Sequence, residues 1–379
     1  MIYADNAATT KISDSVFKKM LPFLREQYGN ASSQYSLGIK AKFAVEQARQ
    51  QVALAIRADP SEIMFTSGGS ESNSWVLSSV SNGHVITSFI EHHSVLNSCY
   101  SLERKGIDVT YLPVDSKGRV SLESLKEAIR PDTKLVSIML ANNEIGTIQP
   151  IAEIGEYLRE RGILFHTDAV QAVGHIPVVV KELKVDFLTA SSHKFNGAKG
   201  TGILYKRNGI LLPPLIFGGA QECGVRAGTE NVAGIVAAGC AISESVTDMN
   251  AMADKLLAFV QATTSGIRAK IPGIIINGDK NNRLPGLVNI IVDGVTGESL
   301  VHLLDLKGIC VSTSSACMSG KDKPSHVLMA LGLTEQQAKS AIRISYGRYN
   351  NMDEVEIIVA SICNAYDKIL AAKSKGGDS

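Results

Sequence analysis

Glu62–Asn73 reads EIMFTSGGSESN: a short apolar run stops at Thr66, two adjacent glycines follow, and a helical pattern opens behind them. Alone this is one strand, one turn and the start of one helix. Its weight comes from repetition along the chain. Val85–Ser88 (VITS) runs into FIEHHSV, Leu135–Leu140 (LVSIML) into ANNEIG, Ile163–Thr167 (ILFHT) into DAVQAVG, and Val185–Ala190 into SSHK. Short apolar runs alternating with helical patterns predict an α/β domain with a mainly parallel sheet. Ligands of such open sheets sit beyond the carboxyl ends of the strands, where each of these polar clusters falls. The five clusters are therefore expected to border one crevice.

Upstream, two clusters of small polar residues, DNAATT and YGNASS, flank a helix expected around Ser15–Gln27, and such turns expose backbone amides. The alanine-rich stretch Ile39–Ile56 predicts an amphipathic helix. Downstream of Gly202 a strand (ILYKR) precedes LLPPLIFGGAQECGVRAGTEN, a long loop whose apolar content argues for a functional role over disorder. Helices are expected over Asn231–Thr247 and Asp254–Lys270. Strands near Leu287–Val292 and Gly308–Ser312, with helices near Glu298–Leu306, Gln336–Ser340 and Asp353–Ala372, predict a smaller α+β domain beginning near Met249.

Of the 379 residues, 45% are hydrophobic and 20% charged, and the formal net charge is +1, which gives no electrostatic footprint for nucleic acid or an anionic membrane surface. No uninterrupted apolar stretch reaches membrane-spanning length, and no basic and apolar leader precedes the strand-like IYADNAATT, so a cytoplasmic protein acting on a small molecule is expected. The six cysteines lack metal-type CxxC spacing, so neither a metal site nor a disulfide framework is expected.

The chemistry centres on Leu188–Gly202, LTASSHKFNGAKGTG. Lys194 leaves a buried strand there, and a partly desolvated lysine is suited to attack a carbonyl and form a Schiff base. A solitary loop lysine is more often a plain surface residue. Gly68, Gly69 and Ser70 stand between strand and helix, where free amides and a hydroxyl can bind phosphate or merely make a capped turn. Asp168 follows another buried strand and needs a cationic partner, which a protonated ring nitrogen supplies; Gln171 lies on the same side of the next turn. His92 or His93 offers a flat ring or a proton-transfer group, although a satisfied loop histidine is the commoner outcome. A phosphate cradle, a buried acid, a flat side chain and a lysine together make up a pyridoxal 5′-phosphate site. The other phosphate motifs, GxxxxGK[ST] and a GxGxxG at residue 68, are absent.

From YADNAATT to IRISYGR ending at Arg348, the chain resembles the cysteine desulfurases of NifS/IscS type within the class V aminotransferase group. The resemblance rests on TSGGSESN, EHHSV, NNEIG, HTDAVQAVG, SSHKFNGAKGTG, RAGTEN and SSACMSG. It implies a fold-type I pyridoxal phosphate enzyme: a large domain of residues 15–249 around a mainly parallel seven-stranded sheet, and a small α+β domain of residues 1–14 and 250–379. It also implies Lys194 as the Schiff-base lysine, His92 stacked on the pyridine face, Asp168 on its nitrogen and Gln171 at its phenolic oxygen. Gly69, Ser70, Ser191 and His193 are then the phosphate cradle, joined by Thr229 from the second subunit of a homodimer. Asn143 and Arg343 match substrate-carboxylate ligands.

Cys317, in the polar loop STSSACMSGKDKPS, becomes the expected nucleophile. The resemblance implies that its thiolate attacks the sulfur of cofactor-bound L-cysteine while Lys194 or His92 moves protons. Enzyme persulfide and alanine result, and the sulfur passes to a scaffold or acceptor protein. A selenocysteine lyase, or another class V enzyme, would not require Cys317, and a catalytically silent scaffold would have no use for the intact set. Ala31, Tyr35, Ala220 and Cys223 depart from the family's usual GNPSS-histidine and GGGQERG motifs and bear on acceptor choice.

Overall fold

The structure, a computed structural model, describes residues 1–313 and 323–376. Its largest sheet has seven strands in the order Ile63–Thr66, Gly202–Lys206, Phe187–Ser191, Leu164–Asp168, Thr133–Ser137, His84–Ser88, Asp108–Leu112. Only Gly202–Lys206 runs antiparallel to its neighbours. The other six strands point the same way and end on Thr66, Ser88, Leu112, Ser137, Asp168 and Ser191. The five strands of this set that were anticipated carry near-continuous apolar runs because helices cover both faces. Asp108–Leu112 was not anticipated. It is an edge strand, DVTYL, mostly half-exposed, and offers no apolar run to read.

At the turn above the sheet, Gly202 opposes Thr66, and a Cβ there would stand 2.4 Å from Thr66 Oγ1 and 2.5 Å from the Gly68 carbonyl carbon. Glycine is what lets the SGGS loop close over the antiparallel strand. A similar contact joins the helices Ser36–Ile56 and Val232–Thr247: a Cβ on Gly239 would lie 2.7 Å from Ala48 Cα. Small residues thus bring the two backbones together over the main core, which includes Val52, Ile56, Phe65, Leu188 and Ile203.

A second core gathers Phe259, Val288, Ile290, Ile342, Ile344, Val355 and Ile358. Its antiparallel sheet has the order Ser312–Thr313, Ala341–Ser345, Leu287–Ile291, Ile275–Asn277, and the helices Met249–Lys270 and Met352–Gly376 pack on each other beside it. The N-terminus ties the two cores together. Ile2–Tyr3 pairs with Ile309–Cys310 and Asp5 bridges to Ser345, after which Thr10 N donates to His193 O at 2.9 Å and Ser13 N to Asn196 O at 3.0 Å.

Candidate active site

A cavity of about 370 Å³ lies at the carboxyl edge of the large sheet. Gly69, Ser70, His92, Asp168 and Gln171 line it together with Ser191, His193 and Lys194, and Asn143 and Arg343 complete the wall. These ten residues come from segments up to 274 positions apart, Gly69 to Arg343 (343 − 69). Thr229 does not line this cavity and is exposed on the loop before helix Val232–Thr247. Cys317 lies outside the described residues.

At one end, Gly69 opens the helix Gly69–Ser78, whose first-turn amides have no carbonyl one turn earlier to bond. A Cβ on Gly69 would approach Val170 Cγ2 to 2.8 Å, so glycine keeps this end open beside the Asp168 turn. Ser191 ends its strand 3% exposed, and His193 follows in the single 3₁₀ turn Ser192–Lys194. His193 Nδ1 lies 3.1 Å from Thr9 Oγ1. Burial drives its pKa down to about 4, and Lys194 and Lys199 push the same way.

Lys194 Nζ donates to the carbonyls of Ala7 at 2.5 Å and Ala8 at 2.8 Å. Gln171 Nε2 donates to the same Ala7 carbonyl at 2.9 Å. The DNAATT segment is thus the resting place of the amine, and the sequence showed it only as a turn that could border a site. Asp168 is 5% exposed; its oxygens accept from Asn73 Nδ2 at 2.7 Å and Val170 N at 3.0 Å. Asn73 Nδ2 also donates to Ser94 Oγ at 2.9 Å, and Ser94 Oγ lies 2.8 Å from His92 Nδ1. Burial pushes the His92 ring below the ordinary histidine value against the pull of Asp168, and Lys194 and His93 add to the lowering.

The opposite end is cationic. Arg343 sits in the middle of its strand, 5% exposed, with Nη2 donating to Asp5 Oδ1 at 2.7 Å and Nη1 to the Asn143 carbonyl at 3.0 Å. Its Nε is buried without a hydrogen-bond partner among the described residues. A rigid fork with one buried N–H unused suits a planar carboxylate. Asp5, which orients the fork, was hidden in sequence because its partner is 338 residues away.

Two buried acids back the cavity. Glu91 accepts from Ser88 Oγ at 2.6 Å and from Met139 N, yet burial raises its pKa to about 8. Glu144 accepts from Ser325 Oγ at 2.5 Å, and burial raises its pKa to about 7 against the pull of Arg343. At neutral pH Glu91 is therefore mostly uncharged.

A small anion-binding cradle, a buried carboxylate, a lysine at a strand exit and a buried arginine fork fit an enzyme of the pyridoxal phosphate type. Residues 2–358 match the aminotransferase class-V family, and the chain belongs to it. Within that family it is a cysteine desulfurase. It is 46% identical over 366 residues to cysteine desulfurase IscS of Clostridium botulinum, covering 94% of this chain and 92% of that one. It is also 46% identical over 374 residues to cysteine desulfurase IscS of Methanosarcina thermophila, covering 97% and 92%. The solved structure of a NifS-like protein superposes with a TM-score of 0.91 at 40% identity, over 96% of this chain and 98% of that one. That of SspA in complex with cysteine gives 0.81 at 36%, over 93% and 100%.

Proposed function

We propose that the protein uses pyridoxal 5′-phosphate to convert L-cysteine to L-alanine, stores the sulfur as a persulfide on Cys317, and delivers it to an acceptor protein for iron-sulfur cluster assembly or thiolation. The observation that carries this reading is Asp168: a buried carboxylate facing the cavity, held by two neutral donors and by no cation among the described residues. A protonated ring nitrogen is the partner it lacks. When bound, the cofactor supplies an electron sink for charge developing on the substrate. Asp168 keeps the ring nitrogen protonated, and Lys194 supplies the amine that attaches the cofactor. Gly69, Ser70, Ser191 and His193 hold its phosphate, and Gln171 addresses its phenolic oxygen. Asn143 and Arg343 orient the carboxylate of L-cysteine, while His92 covers the ring and moves a proton.

The sulfur step balances without an external oxidant. The Cys317 thiolate forms an S–S bond to the substrate sulfur as the substrate C–S bond breaks. The electron pair stays on Cβ, which takes a proton and becomes the methyl group of alanine. Mass spectrometry after incubation with L-cysteine is expected to find one added sulfur on Cys317. Cys317→Ser should keep the cofactor and form no persulfide; sulfide release equal to that of the parent would instead mark a lyase.

Thr229 belongs to the neighbouring site in this reading. Its exposure, and its absence from the cavity of its own chain, support a place at the phosphate of a second subunit. Thr229→Ala should leave a dimer by light scattering yet hold the cofactor about tenfold more weakly in dialysis, the size of one charge-assisted hydrogen bond. A fully active monomer would contradict the shared site.

A further inference from the structure

Asn73 and Ser94 have no place in the roles above, yet they join the two groups that act on the cofactor ring. Asn73 is 1% exposed. Because the Asp168 carboxylate can only accept, the Asn73 amide must turn its nitrogen toward Oδ2, 2.7 Å away. That orientation leaves Asn73 Oδ1 buried with no partner among the described residues, and it aims the second amide hydrogen at Ser94 Oγ, 2.9 Å away. With a lone pair of Ser94 Oγ so engaged, its own hydrogen is directed to His92 Nδ1 at 2.8 Å. The backbone N–H of Ser94 donates to the same nitrogen at 3.1 Å. A ring nitrogen receiving two donors is an acceptor and carries no proton.

We propose that Asn73 and Ser94 are positioning residues that hold the His92 ring with Nδ1 bare and the proton on Nε2. The orientation of each group in the chain is dictated by the one before it, starting from the charge on Asp168. His92 thereby keeps one nitrogen, Nε2, for proton exchange within the cavity. This rests on the reading of His92 as the proton carrier of the desulfurase. Among the described residues, four ionisable groups face the ring: Asp168 from its strand, Lys194 from the 3₁₀ turn, His93 from the helix His93–Glu103 and His326 from the helix His326–Ala330. Of these Asp168 alone favours the charged ring, so any gain of charge when the donors are removed has a defined source.

The test is nitrogen NMR of the protein labelled with ¹⁵N-histidine, the His92 signals being assigned by their loss in His92→Gln. The parent protein should show the Nε2–H form at neutral pH. Ser94→Ala removes one donor to Nδ1, and Asn73→Leu frees the Ser94 hydroxyl to turn and accept from a protonated Nδ1. Both should raise the titration midpoint of His92 by about one unit, the size of one hydrogen bond to the neutral ring, and Ser94→Thr should restore it. The acid limb of the kcat profile should move with that midpoint. If both variants are folded by circular dichroism and the tautomer and midpoint of His92 do not move, the proposal is overturned, even if kcat falls. Persulfide on Cys317 of the parent, measured on the same preparations, reports separately on the desulfurase reading.

Discussion

Lys194→Ala is expected to give a folded protein that develops no visible absorption band with pyridoxal phosphate and turns over L-cysteine at least about a thousandfold more slowly. The amine rests on the carbonyls of Ala7 and Ala8 at the cavity wall. Its loss leaves two acceptors that water in the cavity can satisfy, so the fold is not the casualty. What disappears is the nucleophile, and among the described residues the cavity lining holds no second lysine. Absorption spectra and circular dichroism of one preparation separate the two effects. A retained band in a folded variant would show that another amine carries the cofactor.

Arg343→Ala is expected to raise KM for L-cysteine about a hundredfold, the scale of removing one partner of a buried charge pair, while the cofactor band stays in place. Asp5 aligns Nη2 and the Asn143 carbonyl aligns Nη1, so the fork is fixed before substrate arrives. Arg343→Lys keeps the charge and loses the planar fork, and should recover only part of the affinity. Because Arg343→Ala strands Asp5, that variant should also be less stable, and Arg343→Lys guards the conclusion against simple unfolding. Unchanged KM in both would remove Arg343 from the substrate site.

The apolar runs that were legible as strands are those buried on both faces. Leu135–Leu140 shows the limit of that reading: the ladder strand is Thr133–Ser137, yet Ile138 and Leu140 still donate to His166 and Asp168 of the next strand. Apolar character reports burial and does not mark where regular pairing stops. The helix expected from Asp254 begins at Met249, because Asp248 both ends the preceding helix and starts this one, with no breaker between them to read. The antiparallel run of Gly202–Lys206 had no local sign either, since strand direction is a property of the connection and not of the strand.

The class of fold, the polar strand ends and the residue types of a pyridoxal phosphate site were legible in the chain, because burial and turn chemistry are written locally in residue type and spacing. Lys194, Asp168, Ser70 and His92 were visible for that reason. Tertiary structure alone decided what holds them: Ala7 and Ala8 under Lys194, Asp5 on Arg343, and Asn73 with Ser94 between Asp168 and His92. Such contacts arise where distant segments meet at the end of a sheet. A hydrogen bond there depends on where two atoms finally stand, and no spacing along the chain records that distance.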